Sequence, residues 1–325
     1  MENSRTGLLG ILKQSIRDFM KDDCMTSAAA LSYYTVFSLP AILMLIMLLV
    51  SSVMDPTDVR GGLESQLEAL MGPSAGAEVR TILQKTERPG GGLIPTIVGI
   101  VALVFGATGA LGQLQAALNR TWNVEPDPQQ GGLKSFLTKR LFSFGMLLSI
   151  AFLLLVSLVI SATLSALGDR LTAFLPAGLS EPVLQALNIG ISLLVISLLF
   201  ATMFKVLPDA KVAWRSAWIG GVATALLFVL GKFLIGLYIG KSNPGEAYGA
   251  AGSLIVMLLW IYYSAIIVLF GAEFTETWAE KRGEGIEPEA GAVRVRQEKQ
   301  QIREGREGRE GWERREGRER RERSA

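Results

Sequence analysis

The sequence predicts an all-α, polytopic integral membrane protein with six transmembrane helices. Half of its 325 residues are hydrophobic, and the charged side chains crowd near the C-terminus, where residues 281–325 hold 14 Lys/Arg and 11 Asp/Glu. The rest of the chain contains six long stretches that lack, or nearly lack, Asp, Glu, Lys and Arg. A helix needs about 20 apolar residues to cross the hydrocarbon core of a bilayer. A membrane barrel would instead show segments of about 10 residues with alternating hydrophobicity, and none is visible.

The six stretches divide the chain into a membrane domain and two flanking segments. We predict a membrane domain over residues 24–280, a cytoplasmic amphipathic segment over residues 1–23 and a disordered tail over residues 281–325. The predicted spans cover residues 27–54, 93–118, 141–168, 182–204, 216–240 and 247–272. Each is long enough to cross a bilayer with tilt or with interfacial ends.

The distribution of Lys and Arg predicts the orientation of these spans. With six spans, the N-terminal segment, the second and fourth loops and the tail share one side and carry 25 basic residues, against 6 in the other three loops. The positive-inside rule places the more basic side in the cytoplasm. We therefore predict that both termini are cytoplasmic.

An amphipathic helix is predicted before the first span. Its apolar residues recur at helical spacing, while its basic residues face elsewhere. The apolar residues are Leu8, Leu9, Leu12, Ile16, Phe19 and Met20, and the basic residues are Lys13, Arg17 and Lys21. Two positions suit such a helix, the cytoplasmic interface of the membrane or the surface of the helix bundle, and the sequence favours neither.

The first external loop, residues 55–88, is predicted to hold short amphipathic helices. Asp55-Pro56-Thr57-Asp58 is typical of a helix start, and an apolar stripe follows it. Gly72-Pro73-Ser74 predicts a break and a second short helix. These helices either cover an external opening or lie on the membrane surface.

The C-terminal tail repeats Arg-Glu-Gly over residues 300–325 and has almost no apolar content there. Such a segment cannot bury enough surface to fold, so the composition predicts disorder. The alternating sign of its charges argues against strong attraction to anionic lipids or to RNA.

The composition excludes several classes of chemistry. The chain has no histidine, which removes His-dependent triads and His metal ligands. Its one cysteine, Cys24, cannot form an internal disulfide or a four-cysteine zinc site and is interpreted as an apolar filler. No GxxxxGK[ST] string is present, so the chain carries no P-loop for ATP-driven transport. We expect no enzymatic activity, no cofactor, no metal and no nucleic-acid partner.

Lys232 is the one charged residue well inside a predicted span. An ammonium at membrane depth costs about 3 kcal/mol on insertion scales, which indicates a substrate path or a partner. Glu246, in the external turn that follows, is the natural counter-charge. The alternative is snorkelling, in which the lysine stem carries the ammonium toward the interface.

Polar residues also gather in the cytoplasmic half of the first span. Tyr33, Tyr34 and Ser38 precede Pro40, which predicts a kink. Tyrosines near a membrane face are usually interface anchors, but this cluster is larger than anchoring requires. We therefore expect part of it to face a cavity.

Asn119 and Arg120 extend the second span toward the cytoplasm. Arg120 is predicted to bind a lipid phosphate or to pair with a carboxylate, either Glu273 or Asp209. The candidates for a substrate path are therefore Lys232, Tyr33, Tyr34, Ser38, Pro40, Arg120, Asn119, Glu246, Tyr248 and Glu273.

Small residues predict close helix packing and one irregular segment. Gly236 and Gly240 form a GxxxG pair in the fifth span, which favours packing against a neighbouring helix. The same reasoning applies to the small residues on one face of the second span, Ala102, Gly106, Gly109 and Ala110. Residues 242–253 (SNPGEAYGAAGS), which include Tyr248, are either a packed turn or a re-entrant start to the sixth span.

Four segments carry a resemblance to a known family. They are MTSAAALSYYTVFSLP at 25–40, GATGALGQLQAALNRTWNV at 106–124, LPDAKVAWRSAWIGG at 207–221 and YGAAGSLIVMLLWIYYSAIIVLFGAE at 248–273. Together they resemble the YihY/BrkB family of bacterial inner-membrane proteins over roughly residues 10–280, which leaves the Arg-Glu-Gly tail outside. Lys232, in LGKFLIGLY, fits a lysine position of the family pattern.

The resemblance implies a bacterial inner-membrane location, an association with serum resistance and, in some members, movement of lipid or lipopolysaccharide precursors. Some members carry a tRNA-processing ribonuclease label, against which the absence of histidine argues.

Two functions are therefore predicted. The first is a transporter or flippase-like exporter of a lipid or amphipathic envelope substrate, passive or gradient-coupled and not ATP-driven by itself. The alternative is a non-transporting membrane scaffold for envelope integrity or serum resistance. Membrane lipids are the expected partners in both cases, and a homo-oligomer or envelope-protein partners remain open.

Overall fold

The structure, a computed structural model, describes residues 7–50, 55–71, 80, 93–127, 145, 180–242, 248, 251–289 and 291–295. It is mostly helical. The helices are α1 (Leu8–Lys21), α2 (Cys24–Val50), α3 (Pro56–Met71), α4 (Leu93–Thr121), α5 (Ser180–Val206), α6 (Trp214–Ser242) and α7 (Gly252–Lys281). Four short strands accompany them: β1 (Val124–Pro126), β2 (Ala210–Lys211), β3 (Glu287–Pro288) and β4 (Ala292–Arg294).

Four helices in the described part of the chain are long and apolar enough to cross a membrane. These segments are Cys24–Met44, Ile189–Val206, Trp214–Ile239 and Leu254–Lys281, which correspond to the first, fourth, fifth and sixth predicted spans. The second predicted span lies within α4, a helix of 29 residues and about 43 Å at 1.5 Å per residue. The third, residues 141–168, lies outside the described residues apart from Gly145.

One end of the bundle, here called the basal end, is where the end of α1, the start of α2 and the ends of α4 and α7 meet. Cys24 Sγ at the start of α2 lies 3.8 Å from Thr121 Oγ1 of α4 and 3.4 Å from Glu273 Oε1 of α7. Since α5 ends near this point, it begins about 40 Å away, at the opposite end. The described chain is therefore at the basal end at Asp127 and at the opposite end at Ser180.

Two Gly-x-x-x-Thr pairs hold α6 and α7 close together. A Cβ added to Gly220 would lie 2.9 Å from Thr275 Cβ, and one added to Gly271 would lie 3.0 Å from Thr224 Cβ, so each would clash with the threonine of the other helix. Each threonine hydroxyl donates to the carbonyl of the glycine in its own helix, Thr224 to Gly220 at 2.7 Å and Thr275 to Gly271 at 2.6 Å. The hydroxyls are therefore satisfied while the backbones approach.

The glycines of α4 and α6 differ in what they contact. A Cβ on Gly106 would lie 3.0 Å from Ala41 Cβ, and one on Gly109 would lie 3.5 Å from Ser38 Oγ. The predicted packing of α4 against α2 at these glycines is confirmed. Among the described residues nothing lies within 4 Å of a Cβ built on Gly236, so the packing expected there stays a prediction.

The main core lies between the basal thirds of the helices. Trp122, directly after α4, is fully buried, and its Nε1 donates to the Ala272 carbonyl at 3.1 Å. Its ring packs edge-on against Phe204 of α5, with centroids 6.3 Å apart. One aromatic side chain thereby joins α4, α5 and α7.

The C-terminal segment folds back over the basal loops. β4 pairs antiparallel with β1, and β3 pairs antiparallel with β2. Ile286 is buried in the main core. The prediction of disorder from residue 281 onward is therefore wrong for residues 281–294, because this stretch supplies an apolar side chain and backbone partners to two loops. Residues 296–325 lie outside the described part of the chain.

Helix α3 begins where the sequence predicts. Asp55 caps it by accepting a hydrogen bond from the Thr57 backbone amide at 2.9 Å and another from the Thr57 hydroxyl, with Pro56 as the first helical residue. These hydrogen bonds lower the pKa of Asp55. Leu63 packs against Leu43 and the Ile46–Val59 cluster, which attaches α3 to the far end of α2. The predicted second helix lies outside the described residues apart from Arg80.

Helix α1 packs on the bundle with one face. Ile11, Ser15 and Phe19 are buried, the Phe19 ring lies 6.1 Å from that of Phe270, and Ser15 Oγ hydrogen-bonds Thr277 Oγ1 at 3.3 Å. Of the two positions predicted for this helix, the bundle surface is confirmed. This packing leaves other apolar residues of α1 exposed, among them Leu9, Ile16 and Met20.

Candidate functional site

A buried carboxyl group at the basal end is the main polar feature inside the helix bundle. Glu273 lies on α7, three residues after Phe270 and four before Thr277, on the face that α1 covers. The start of α2 and the end of α4 close the site from the other sides. Four helices therefore enclose this side chain.

The Glu273 carboxylate is completely removed from solvent. Its Oε1 accepts a hydrogen bond from Cys24 Sγ at 3.4 Å, and the same thiol lies 3.8 Å from Thr121 Oγ1. Its Oε2 is buried and has no hydrogen-bond partner in the described structure. A buried carboxyl oxygen without a partner costs free energy, which makes Glu273 a candidate for a functional role.

Further acidic groups lie around Glu273. Asp18 of α1, Asp22 directly after it and Glu276 of α7 are near enough to interact with it electrostatically. Asp22 is itself buried. No group of three or more His, Cys, Asp or Glu in the described ranges is arranged to hold a metal ion. The described groups around Glu273 are carboxyl groups, a thiol and a hydroxyl.

A second polar network ties α4 to the loop between α5 and α6. Asn119 Nδ2 donates to Asp209 Oδ2 at 2.8 Å, and the Asp209 amide donates back to Asn119 Oδ1 at 2.8 Å. Gln115 Nε2 adds a bond to Asp209 Oδ1 at 3.3 Å. The amide of Glu289 donates to the Asp209 carbonyl at 3.0 Å, so the C-terminal segment joins the same network.

The structure places three of the predicted site residues in the bundle interior. Glu273 and Asn119 are buried near the basal end, and Ser38 is buried deeper, against Gly109 of α4. Pro40 is half-buried inside α2, which continues as helix on both sides of it. These residues do not converge on one point but follow the inner face of the bundle.

The other predicted residues lie on the outside. Tyr33 and Tyr34 are exposed and contact each other edge to face, and Lys232 and Tyr248 are exposed as well. Glu246 lies outside the described residues.

Arg120 contacts a hydroxyl group in the described structure, and its predicted contact with a lipid phosphate stays a prediction. It is exposed, and its guanidinium donates to Ser27 Oγ at 3.4 Å, whereas the described hydrogen bonds of Glu273 and Asp209 come from other residues. The predicted carboxylate partners are therefore not those observed for Arg120.

Cys24, Thr121 and Gln115 are the site residues that sequence reasoning missed. Cys24 was interpreted as an apolar filler, but its thiol is the hydrogen-bond donor to Glu273. A signal was available for Cys24, because it lies at the edge of the first predicted span and Glu273 lies at the edge of the last, on the same predicted side. Spans that end on the same side place their edge residues at one depth.

Comparison with known proteins shows which family the chain belongs to. The sequence profile of the virulence factor BrkB family matches residues 15–296, from α1 to the end of the strand segment. The chain belongs to the BrkB family. The family region thus includes β3 and β4 and excludes the Arg-Glu-Gly repeats.

Relatives of this BrkB-family protein are themselves named as membrane proteins. It is 30% identical over 292 residues to the UPF0761 membrane protein of Pseudomonas aeruginosa strain LESB58, a match that covers 87% of this chain and 68% of the relative. A match at 32% identity to the corresponding protein of strain PAO1 covers 78% of this chain and 59% of the relative. The chain therefore spans about three fifths to two thirds of these relatives.

A third relative carries a different name. It is a ribonuclease-like protein, YfkH, of Bacillus subtilis strain 168, and it is 26% identical over 82% of this chain and 94% of its own length. No solved structure matches the chain.

Proposed function

We propose that this BrkB-family protein is a transporter of a lipid or amphipathic envelope substrate in the bacterial inner membrane, passive or gradient-coupled. The observation that carries the proposal is Glu273, a fully buried carboxyl group with an unpartnered oxygen in a helix long enough to cross the membrane. Ionisable groups inside membrane bundles are costly and mark substrate, ion and proton paths.

The surroundings of Glu273 support the same function. Buried polar side chains follow the inner faces of α2 and α4, among them Ser27, Ser38 and Asn119. Such groups give a polar substrate portion places to bind in a bundle whose outside is apolar. The substrate class is the one that the family resemblance implies, and the proposal includes no catalytic step.

Orientation is part of the proposal. The basal end carries the N-terminal helix and the C-terminal strands, and the basic residues of the chain favour its side as cytoplasmic. Glu273 then lies near the cytoplasmic end of the bundle, beneath the face of α1 that packs on α7.

The test follows exchange of a fluorescent phospholipid between the leaflets of proteoliposomes. We expect wild type to exchange lipid faster than protein-free liposomes do. Glu273→Gln is expected to lower that rate by about tenfold or more, because passage of the lipid depends on the carboxyl group. Glu280→Gln is the matched control, since Glu280 lies on the same helix but is exposed. Equal rates for wild type and Glu273→Gln would contradict the role of Glu273, and no exchange by folded wild type would contradict lipid transport.

The position of Lys232 favours the second candidate function, a non-transporting scaffold. Its side chain is exposed on α6 between exposed apolar residues such as Phe233 and Leu234 and not in the bundle interior. Lys232 therefore lies on the outer surface of α6, and its charge does not by itself indicate a substrate path inside the bundle. A scaffold would need neither lipid exchange nor Glu273, so the same proteoliposome experiment separates the two functions.

A further inference from the structure

Helix α1 leaves a large apolar surface uncovered. Leu9, Ile16 and Met20 are 83%, 55% and 64% exposed, and Leu8 and Leu12 are exposed beside them. At 100° per residue Leu9, Leu12, Ile16 and Met20 fall within an arc of about 80° and form one stripe, adjacent to the face that packs on α7. A helix of 14 residues thus has two apolar faces, one against the bundle and one with nothing covering it.

Basic residues border the uncovered stripe. Lys13 and Arg17 are exposed next to it, and Lys21 follows at the end of the helix, where its Nζ lies 3.9 Å from Asp22. The acidic residue of α1, Asp18, lies on the other side and accepts two hydrogen bonds from Gln14. The border of the stripe therefore carries positive charge.

The buried face of α1 lies over Glu273. Phe19 contacts Phe270 and Ser15 contacts Thr277, so the two contacts flank Glu273 on the same face of α7. Whatever holds the outer stripe of α1 also holds this inner face in place.

We propose that α1 docks on an anionic lipid surface through Leu9, Leu12, Ile16, Met20 and the neighbouring Lys13 and Arg17, and that this docking keeps it as a cover over Glu273. An apolar stripe with a basic border matches the acyl and headgroup regions of an anionic leaflet. Helix α1 also lies close to the membrane, because α2, which is long enough to cross it, begins at Cys24, three residues after α1 ends. A second copy of the chain fits less well, because a symmetric contact would bring two basic borders together.

The docking part of this proposal does not depend on transport, whereas the cover concerns the site on which the proposed function rests. Both parts have readouts that need no transport. A failure of lipid exchange therefore leaves both of them open to test.

Docking is tested with a probe on the outer stripe. In full-length protein with Cys24→Ser, Ile16→Cys carries an environment-sensitive fluorophore, and Gln14→Cys carries it on the opposite side as the matched control. We expect doxyl-labelled phosphatidylcholine in nanodiscs to quench the Ile16 probe more than the Gln14 probe. Adding phosphatidylglycerol increases the difference, and Lys13→Gln with Arg17→Gln removes that increase. Equal quenching at both positions overturns docking, and quenching that depends on labelled protein copies per disc assigns the stripe to a second copy.

The cover is tested with the native thiol, which lies 3.4 Å from Glu273 and is the one cysteine of the chain. We expect a water-soluble maleimide to label Cys24 on the order of tenfold more slowly in discs with phosphatidylglycerol than in phosphatidylcholine alone, since each cation near an anionic surface adds roughly a factor of five. The Lys13→Gln, Arg17→Gln variant should label at the faster rate in both lipids. A labelling rate that is the same in both lipids for wild type overturns the cover and leaves docking to be judged by the probe.

Discussion

At the scale of single residues, the contacts of individual glycines determine how closely the helices pack. A Cβ on Gly221 of α6 would lie 2.7 Å from the Ala201 nitrogen and 2.7 Å from the Ser197 oxygen, both backbone atoms of α5. Backbone cannot move aside as a flexible side chain can, so this position tolerates only glycine. Gly236, four turns further along the same helix, has no described atom of another residue within 4 Å of a Cβ built on it. Close packing of α5 against α6 therefore depends on Gly221 and not on Gly236.

We predict that Gly221→Ala lowers the stability of the bundle by about 1–3 kcal/mol, because the added methyl group forces α5 and α6 apart. Gly236→Ala, the control, is expected to leave stability unchanged. Thermal unfolding of both purified variants in the same detergent checks this. A Gly221→Ala protein with the wild-type melting temperature would show that the two helices are not as close as described.

Lys232 is a second residue whose surroundings decide its expected role. We predict that Lys232→Leu leaves the protein as stable as wild type or more stable, because an ammonium costs about 3 kcal/mol at membrane depth and the side chain lies on an exposed, apolar face. Melting temperature and lipid exchange are measured together, with Lys241→Leu at the end of the helix as control. Lost exchange at an unchanged melting temperature would instead place Lys232 on the substrate path.

At the scale of elements, local sequence signals determine where helices start more reliably than what they face. The start of α3 follows from Asp55 and Pro56 alone, since a capping carboxylate and a proline at the first position need no tertiary partner. The position of α1 required tertiary contacts, because its pattern of apolar and basic residues fits a bundle and a membrane surface equally well. Phe19 and Ser15 contact α7, and this contact settles the bundle side.

The cap of α3 predicts a pH effect. The hydrogen bonds from Thr57 favour the ionised form of Asp55 and lower its pKa, so the cap stabilises the helix above the ordinary pKa of about 3.9 and is lost as the pH falls through the lowered value. We expect the protection factors of the α3 amides at residues 57–59 to fall in that acidic range. Hydrogen exchange followed by mass spectrometry measures them. Asp55→Ala should remove the pH dependence and Asp58→Asn should keep it, and an unchanged wild-type protection factor would contradict the cap.

At the scale of the whole molecule, the arrangement of the ends determines the topology. α1 and the C-terminal strands both belong to the basal end, through α7 and β1 respectively. The chain passes Asp127 at this end and begins α5 at Ser180 at the other. The chain must therefore cross the bundle between Asp127 and Ser180, as the predicted third span over residues 141–168 would do. That span stays a prediction.

We predict from this arrangement that the two ends of the protein face the cytoplasm. Fluorescent-protein fusions at either terminus should fluoresce in a bacterial host, since that fluorophore matures in the cytoplasm, and an alkaline phosphatase fusion at Arg60 in α3 should be active because it is outside. Phosphatase inserted at Lys211, in the loop between α5 and α6, serves as the inactive control. An active phosphatase at Lys211 would reverse the orientation, and activity at both positions would require a different number of spans.

Much of the fold could be predicted because it depends on local composition. Apolar runs marked four described spans and the helix that contains a fifth, since burial of backbone groups in a bilayer leaves helices as the simplest solution. The site was harder to predict. Glu273 and Asn119 were candidates as polar residues at span ends, but their partners, Cys24 and Asp209, lie 249 and 90 positions away in the chain. No local pattern connects residues that far apart.

By itself, the sequence determined that this is a helical membrane protein of the BrkB family, where most of its spans lie and which end of α3 is capped. These properties follow from hydrophobicity, charge and capping chemistry within windows of a few turns. Only the tertiary structure decided that Glu273 is enclosed by four helices, that Lys232 faces outward and that residues 281–294 fold back over two loops. Each of these depends on which surfaces meet, and burial of a side chain is a property of its neighbours in space rather than of its neighbours in the chain.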